Sequence, residues 1–328
     1  MKKQMIKDMR IGDEVETQVL ILEANRAAFS APHRAGEYFL KLVLGDVSGQ
    51  VKAVMWSPPS GENCIEAGDV AFVRGSVGDY HGPQVVVSEI KKLDPAKVNR
   101  AFFQLVAERP VEEMLTELKK IIEEEVEDEH LKSLLHLLFK DREFANLFSR
   151  APAARTIHHN YVGGLLEHTL EVVALCRKLA ELYPEQLKLD LLITGAILHD
   201  MGKIEEYRQD SLNFEFTDRG KLVGHISIGK EMLDKKLAEM EGFPPALRLE
   251  LEHMLLTHHG MREWGSPEIP KTIHAYALFH ADLLSARMNQ FVIVMNRHAP
   301  ESGDWTQWDR FLERSIFVRP AAENAAES

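Results

Sequence analysis

Ten of the 15 histidines fall between residues 158 and 280, and five positions there join a metal-ligating side chain to an apolar helical stripe. His168 shares a face with Leu165, Val172, Cys176 and Leu179. His199-Asp200 closes the apolar run from Leu191 to Leu198. His225 leads into Ile228, Gly229 and Met232, His258 follows Leu251, Met254 and Leu255, and Asp282 lies between Leu278 and Ala286. One histidine on an apolar face is more often a satisfied core residue than a ligand. Six imidazoles and carboxylates aimed inward from five helices need a different explanation. A buried carboxylate without a cation is costly, and Lys and Arg are scarce at the adjoining inward positions. A divalent metal is therefore the expected partner. Imidazole and carboxylate without thiolate suit Mn²⁺, Fe²⁺ or Zn²⁺ rather than Ca²⁺ or a structural zinc.

The frame for these groups must come from 328 residues with 45% apolar content, enough for two domains with real cores. Cys64 and Cys176 are the only cysteines, which excludes a disulfide framework or a Cys-rich zinc module. The N-terminus lacks an apolar signal region, and no run approaches the ~18 apolar residues of a membrane span. A cytoplasmic protein without membrane contact is expected. The formal charge is −12, from 39 Lys+Arg against 51 Asp+Glu. Residues 1–100 are neutral, with 13 basic and 13 acidic side chains, so the whole imbalance lies beyond them. It is steepest over 111–130, where nine acidic residues meet only Lys119 and Lys120.

The neutral part reads as five short strands, near Val15–Leu22, Tyr38–Leu44, Gln50–Trp56, Asp69–Val77 and Gln84–Ile90. Turn residues close two hairpins, at Asp46-Val47-Ser48-Gly49 and at Gly78–Pro83. The pattern resembles an oligonucleotide-binding (OB) fold, an all-β barrel that stacks bases on aromatics and tracks phosphates with basic groups. Phe39, Lys41, Trp56 and Tyr80 are the expected substrate contacts, with Phe29, Arg34, Tyr38 and Lys52 as further candidates. Most of those aromatics could instead simply fill a small barrel.

From Val111 onward the pattern is helical, and the expected layout is an OB domain at 1–98, a helical linker at 99–150, an all-α bundle at 151–314 and a tail at 315–328. The order His168, His199-Asp200, Asp282 resembles the HD-domain metal-dependent phosphohydrolases, with His225 and His258 where two-metal members carry extra histidines. The surrounding motifs, His158–Thr169, Leu198–Lys203, Gly224–Ser227 and His258–Pro267, resemble those of the YhaM-type 3′–5′ exoribonucleases, which join an OB domain to an HD domain. Two departures stand out: Ser285 where a second Asp is expected, and His274 where Glu is expected.

That resemblance implies two divalent ions, most simply Mn²⁺, that activate water and neutralise charge on a phosphodiester. His168, His199, Asp200 and Asp282 would hold one; Asp200 would bridge to a second held by His225 and His258. Lys203 would reach a nonbridging oxygen as a catalytic group. His159, His259 and Trp264 would meet substrate, although a helix cap, a supporting contact and a loop anchor are the respective alternatives. The implied activity is 3′–5′ hydrolysis of single-stranded RNA, or DNA, to 5′-mononucleotides, by a monomer or a homo-oligomer. Three rivals share parts of this pattern: a phosphohydrolase of free or cyclic nucleotides with a regulatory OB domain, an OB module on a non-catalytic HD scaffold, and a di-iron oxygenase.

Overall fold

The computed structural model describes residues 4–29, 32–34, 36–59, 64–80, 82–94, 97–99, 102–103, 107, 109–154, 161–208, 214–297, 304–309 and 312–318. The chain divides into two units, Met1–Val106 with Arg208–Glu215, and Ala107–Tyr207 with Phe216–Ser328.

The first unit is a closed barrel of β1 (Glu14–Ala28), β2 (Tyr38–Asp46), β3 (Gly49–Met55), β4 (Val70–Asp79) and β5 (Pro83–Lys92), in the order β1-β2-β3-β5-β4. Only β3 and β5 pair in parallel; the other pairings are antiparallel. This is the OB architecture expected from the strand pattern. Period-2 alternation sends Leu40, Leu42 and Leu44 of β2 inward and leaves Phe39 and Lys41 on the other face. Val19, Ile21, Val73 and Val85 complete the barrel interior. At Gly75 the pairing of β4 with β5 shifts register. A Cβ there would lie 2.2 Å from the Val86 carbonyl oxygen, so the strands can approach this closely only at a glycine.

The second unit is helical. Its helices are α1 (Val111–Glu125), α2 (Glu129–Lys140), α3 (Arg142–Arg150), α4 (Gly164–Leu182), α5 (Leu189–Leu198), α6 (Lys203–Glu206), α7 (Asp218–Val223), α8 (His225–Ala238), α9 (Pro245–Thr257) and α10 (Ile273–Arg297). Helix α5 is the centre, with Leu191 through Leu198 all buried and α2, α4, α9 and α10 packed around it. An element apolar on every side must lie inside.

The segment expected as a linker differs. Met114, Leu118 and Ile122 of α1, with Leu131, Leu134 and Leu138 of α2, lie in one core with α4, α5, α9 and α10. These amphipathic helices bury their stripes in the bundle, and the seam between the units falls after Val106 instead of at residue 98. The acidic run is broken too: Asp128 caps α2 by accepting from the backbone N–H groups of His130 and Leu131. The start of the segment expected as a tail is also packed, with Ile316 buried beside Leu312 against Val294 of α10. Among the described residues no helix is long and apolar enough to cross a membrane.

Candidate metal centre

Each candidate ligand sits at a point fixed by packing. His168 lies on the buried face of α4, and Asp282 on α10. His199-Asp200 follows the end of α5 and His258 the end of α9, while His225 opens α8. Gly202 decides how closely α8 approaches Asp200. A Cβ there would lie 2.1 Å from the carbonyl oxygen of His225 and 2.6 Å from the amide nitrogen of Gly229. Any other residue would push His225 away from the centre.

The imidazoles are oriented through their Nδ1 atoms. His199 Nδ1 lies 2.7 Å from the carbonyl oxygen of Ala196, and His258 Nδ1 stands 2.7 Å from that of Leu255. His259 Nδ1 is 2.9 Å from the Trp264 carbonyl oxygen. A carbonyl can only accept, so each Nδ1 carries the proton and donates it. His225 Nδ1 lies 3.0 Å from Oε1 of Glu206, which also accepts the His225 backbone N–H. The Nε2 atoms are left to face inward as lone-pair donors to a cation.

They converge on Asp200. On its Oδ2 side, His199 Nε2 lies at 3.2 Å and His168 Nε2 at 3.7 Å, the two Nε2 atoms are 3.3 Å apart, and Asp282 Oδ1 is 3.0 Å from His168 Nε2. On its Oδ1 side, His225 Nε2 lies at 3.4 Å and His258 Nε2 at 3.5 Å. Ligand atoms of His168, His199 and Asp200 form one compact group, and those of His225, His258 and His259 another, each within 4.8 Å. Asp200, His199 and His258 are 2% exposed or less. Asp200 Oδ1, His225 Nε2 and His258 Nε2 are buried with no hydrogen-bond partner. Acceptors that face only one another are a cost that buried polar groups rarely carry. A divalent cation on the Oδ1 side of Asp200 removes it, and the group of His168, His199 and Asp200 offers a second set of donors.

Burial pushes His168 and His258 below the usual imidazole pKa, which keeps them neutral. Burial, with His258 and His225 nearby, pushes His259 down to about 3. His199 is the exception. Burial opposes its charge, yet the Asp200 carboxylate holds its pKa above the ordinary value. Burial would raise Asp200, but the Lys203 ammonium and His199 hold it well below the carboxylate range. Lys203 Nζ donates to Asp200 Oδ2 at 2.5 Å and is itself buried. It is a partner of the central carboxylate, not a solvent-facing lysine.

A cavity of about 310 Å³ opens beside the centre, within the range of small-ligand sites. Asp200, Lys203, His258, His259 and Asp282 form its polar end; Trp264, Phe279 and Leu283 form its apolar wall, with Arg287 and Gln290 beyond. Trp264 is therefore a pocket residue, its ring centroid 6.3 Å from that of Phe279. His259, expected to meet substrate, also stands within ligand distance of His225 and His258. His159 lies outside the described residues. His253 and His274 accept the backbone N–H groups of Lys271 and Lys188.

In the barrel, Phe29, Phe39 and Trp56 form one aromatic cluster, with centroids 4.9 to 6.0 Å apart. Arg34 stacks over Phe29, and Lys41 Nζ lies 5.9 Å from the Phe39 ring. Tyr80 is 68% exposed on the β4–β5 hairpin. Sequence reasoning missed Glu206, Glu171, Phe279 and Gln290, because nothing in local spacing marks a residue whose partner is on another helix.

The HD domain model matches residues 165–287, and the TraI_2 model matches 107–184. Fold and site thus define an HD-domain protein with an N-terminal OB barrel. A likeness to the second OB-fold domain of replication protein A from Methanococcus maripaludis covers 28% of this chain and 95% of that one, at 20% identity and a TM-score of 0.25. The 3′–5′ exoribonuclease YhaM of Shouchella clausii is 32% identical over 96% of both chains. That of Bacillus subtilis is 32% identical over 94% of this chain and 96% of its own. The chain belongs to the YhaM 3′–5′ exoribonuclease family.

Proposed function

We propose that this protein is a metal-dependent 3′–5′ exoribonuclease that removes 5′-mononucleotides from single-stranded RNA. The observation that carries the reading is the placement of Asp200 between two groups of imidazoles, with its Oδ1 atom and the Nε2 atoms of His225 and His258 buried and without a hydrogen-bond partner. His168, His199, Asp200 and Asp282 would hold one divalent ion; Asp200, His225 and His258, with His259 in reach, would hold the second. Mn²⁺ is the first choice for both. Bound ions supply an activated water and neutralise charge on the phosphodiester. Lys203 sets a positive charge at the polar end of the cavity, where a nonbridging phosphate oxygen would lie. Trp264 and Phe279 form a wall on which a terminal base can stack.

The barrel holds the strand. Phe39 and Trp56, flanked by Lys41 and Arg34, offer the stacking surface and charge that single-strand binding uses. Replacing both Phe39 and Trp56, whose rings lie together as one platform, with Ala is expected to weaken binding of single-stranded RNA by roughly 10- to 100-fold, from the ~1–3 kcal/mol of a single stacked base. Fluorescence anisotropy reads this, and unchanged affinity would remove the aromatic cluster from the interface. Two cysteines that form no disulfide suit a reducing cytosol.

Likeness to the two exoribonucleases over nearly the whole chain supports this reading over a hydrolase of free nucleotides, for which a strand-binding barrel has no use. Digestion of 5′-labelled single-stranded RNA with Mn²⁺ should give a ladder of shortened labelled products, stopped by a chelator. Label released at once as a mononucleotide would reverse the polarity. Intact RNA with hydrolysis of free nucleotides would replace the function.

A further inference from the structure

His199, His225, His258 and His259 each place Nδ1 directly against a carbonyl or carboxylate oxygen. His168 differs: its Nδ1 lies 2.9 Å from the hydroxyl of Ser285. Ser285 Oγ in turn donates to Oε2 of Glu171 at 2.6 Å. A hydroxyl has one proton. With that proton on the Glu171 side, Oγ can only accept from His168, so His168 carries its proton on Nδ1 and turns the Nε2 lone pair toward Asp200 and Asp282. Ser285 is 3% exposed and His168 1%, so water does not compete for the bond between them, while Glu171 is half-buried. Ser285 also lies one turn past Asp282 on α10, while Glu171 lies one turn past His168 on α4. The chain of bonds therefore joins the two helices that bring His168 and Asp282 together.

We propose that Glu171, acting through Ser285, is the positioning carboxylate of His168. The pair does jointly what one aspartate at 285 would do directly: it fixes the tautomer, holds the ring angle and makes Nε2 a stronger donor to the ion. The inference rests on His168 being a metal ligand.

The test measures Mn²⁺ affinity of the full-length chain by competition with a chelating indicator, beside the melting temperature of the metal-free protein. Glu171→Gln and Ser285→Ala are each expected to weaken one ion by roughly 10- to 100-fold, with little change in metal-free melting. Adding Ser285→Asp to Glu171→Gln should restore affinity to within a few-fold of wild type, because the carboxylate then touches Nδ1 itself. Wild-type affinity in Glu171→Gln and Ser285→Ala, with Mn²⁺ binding lost in Asp200→Asn, overturns the relay and leaves the metal reading standing. Loss without restoration by Ser285→Asp marks a packing defect and also overturns it. A wild-type chain that takes up no Mn²⁺ overturns both.

Discussion

Asp200→Asn should reduce hydrolysis of single-stranded RNA by at least about three orders of magnitude, since a bound ion supplies several kcal/mol of transition-state stabilisation. The size follows from position. Oδ2 faces His168, His199 and Lys203, and Oδ1 faces His225 and His258, so one substitution alters a donor common to both proposed ion sites. Asparagine keeps the shape and can still accept from Lys203, which separates loss of charge from loss of fold. Steady-state kinetics, metal analysis and circular dichroism together decide it. A folded Asp200→Asn protein that still digests RNA after chelation and Mn²⁺ restoration would refute the assignment of Asp200.

Much of this arrangement was legible before any coordinates. Periodicity places Leu165, His168, Val172 and Cys176 on one face of α4, and the same rule finds Asp282 on α10. A 3.6-residue repeat fixes which side chains point inward, whatever lies opposite. Strand alternation likewise predicts that Leu40, Leu42 and Leu44 fill the barrel and that Phe39 and Lys41 do not. What pairing across helices decides is not in the local pattern. Glu206 reaches His225 across 19 residues, and Ser285 reaches His168 across 117; no spacing rule foretells either. Within the 99–150 segment expected as a linker, the packing of α1 and α2 into the bundle core was obscured for a related reason. Their charge was conspicuous, but the apolar stripe of Met114, Leu118 and Ile122 carried the packing information. The charged face says only what stays in water.

Lys203→Met should lower kcat by roughly 10²- to 10³-fold, the order expected when one preorganised charge is removed from a transition state, while leaving Mn²⁺ affinity equal or higher. The reason lies in the 2.5 Å contact with Asp200 Oδ2. In the metal-free protein the ammonium, with His199, holds the buried carboxylate in its charged form. Removing one partner of a buried ion pair leaves an uncompensated charge, at a cost of about 3–5 kcal/mol. Metal-free Lys203→Met should therefore melt lower than wild type. Mn²⁺ should raise its melting temperature by a larger interval, because the ion replaces the missing cation and no longer competes with it for Oδ2. A lysine that served only to anchor α6 would give the opposite pattern, with lower melting both with and without metal and kcat close to wild type. Scanning calorimetry with and without Mn²⁺, set beside single-turnover kinetics, distinguishes the two. The contrast with Asp200→Asn is informative as well. Both variants lose activity, but only the loss of the carboxylate should empty the metal sites, which divides the work at this centre between a residue that binds the ions and one whose charge acts on the phosphate.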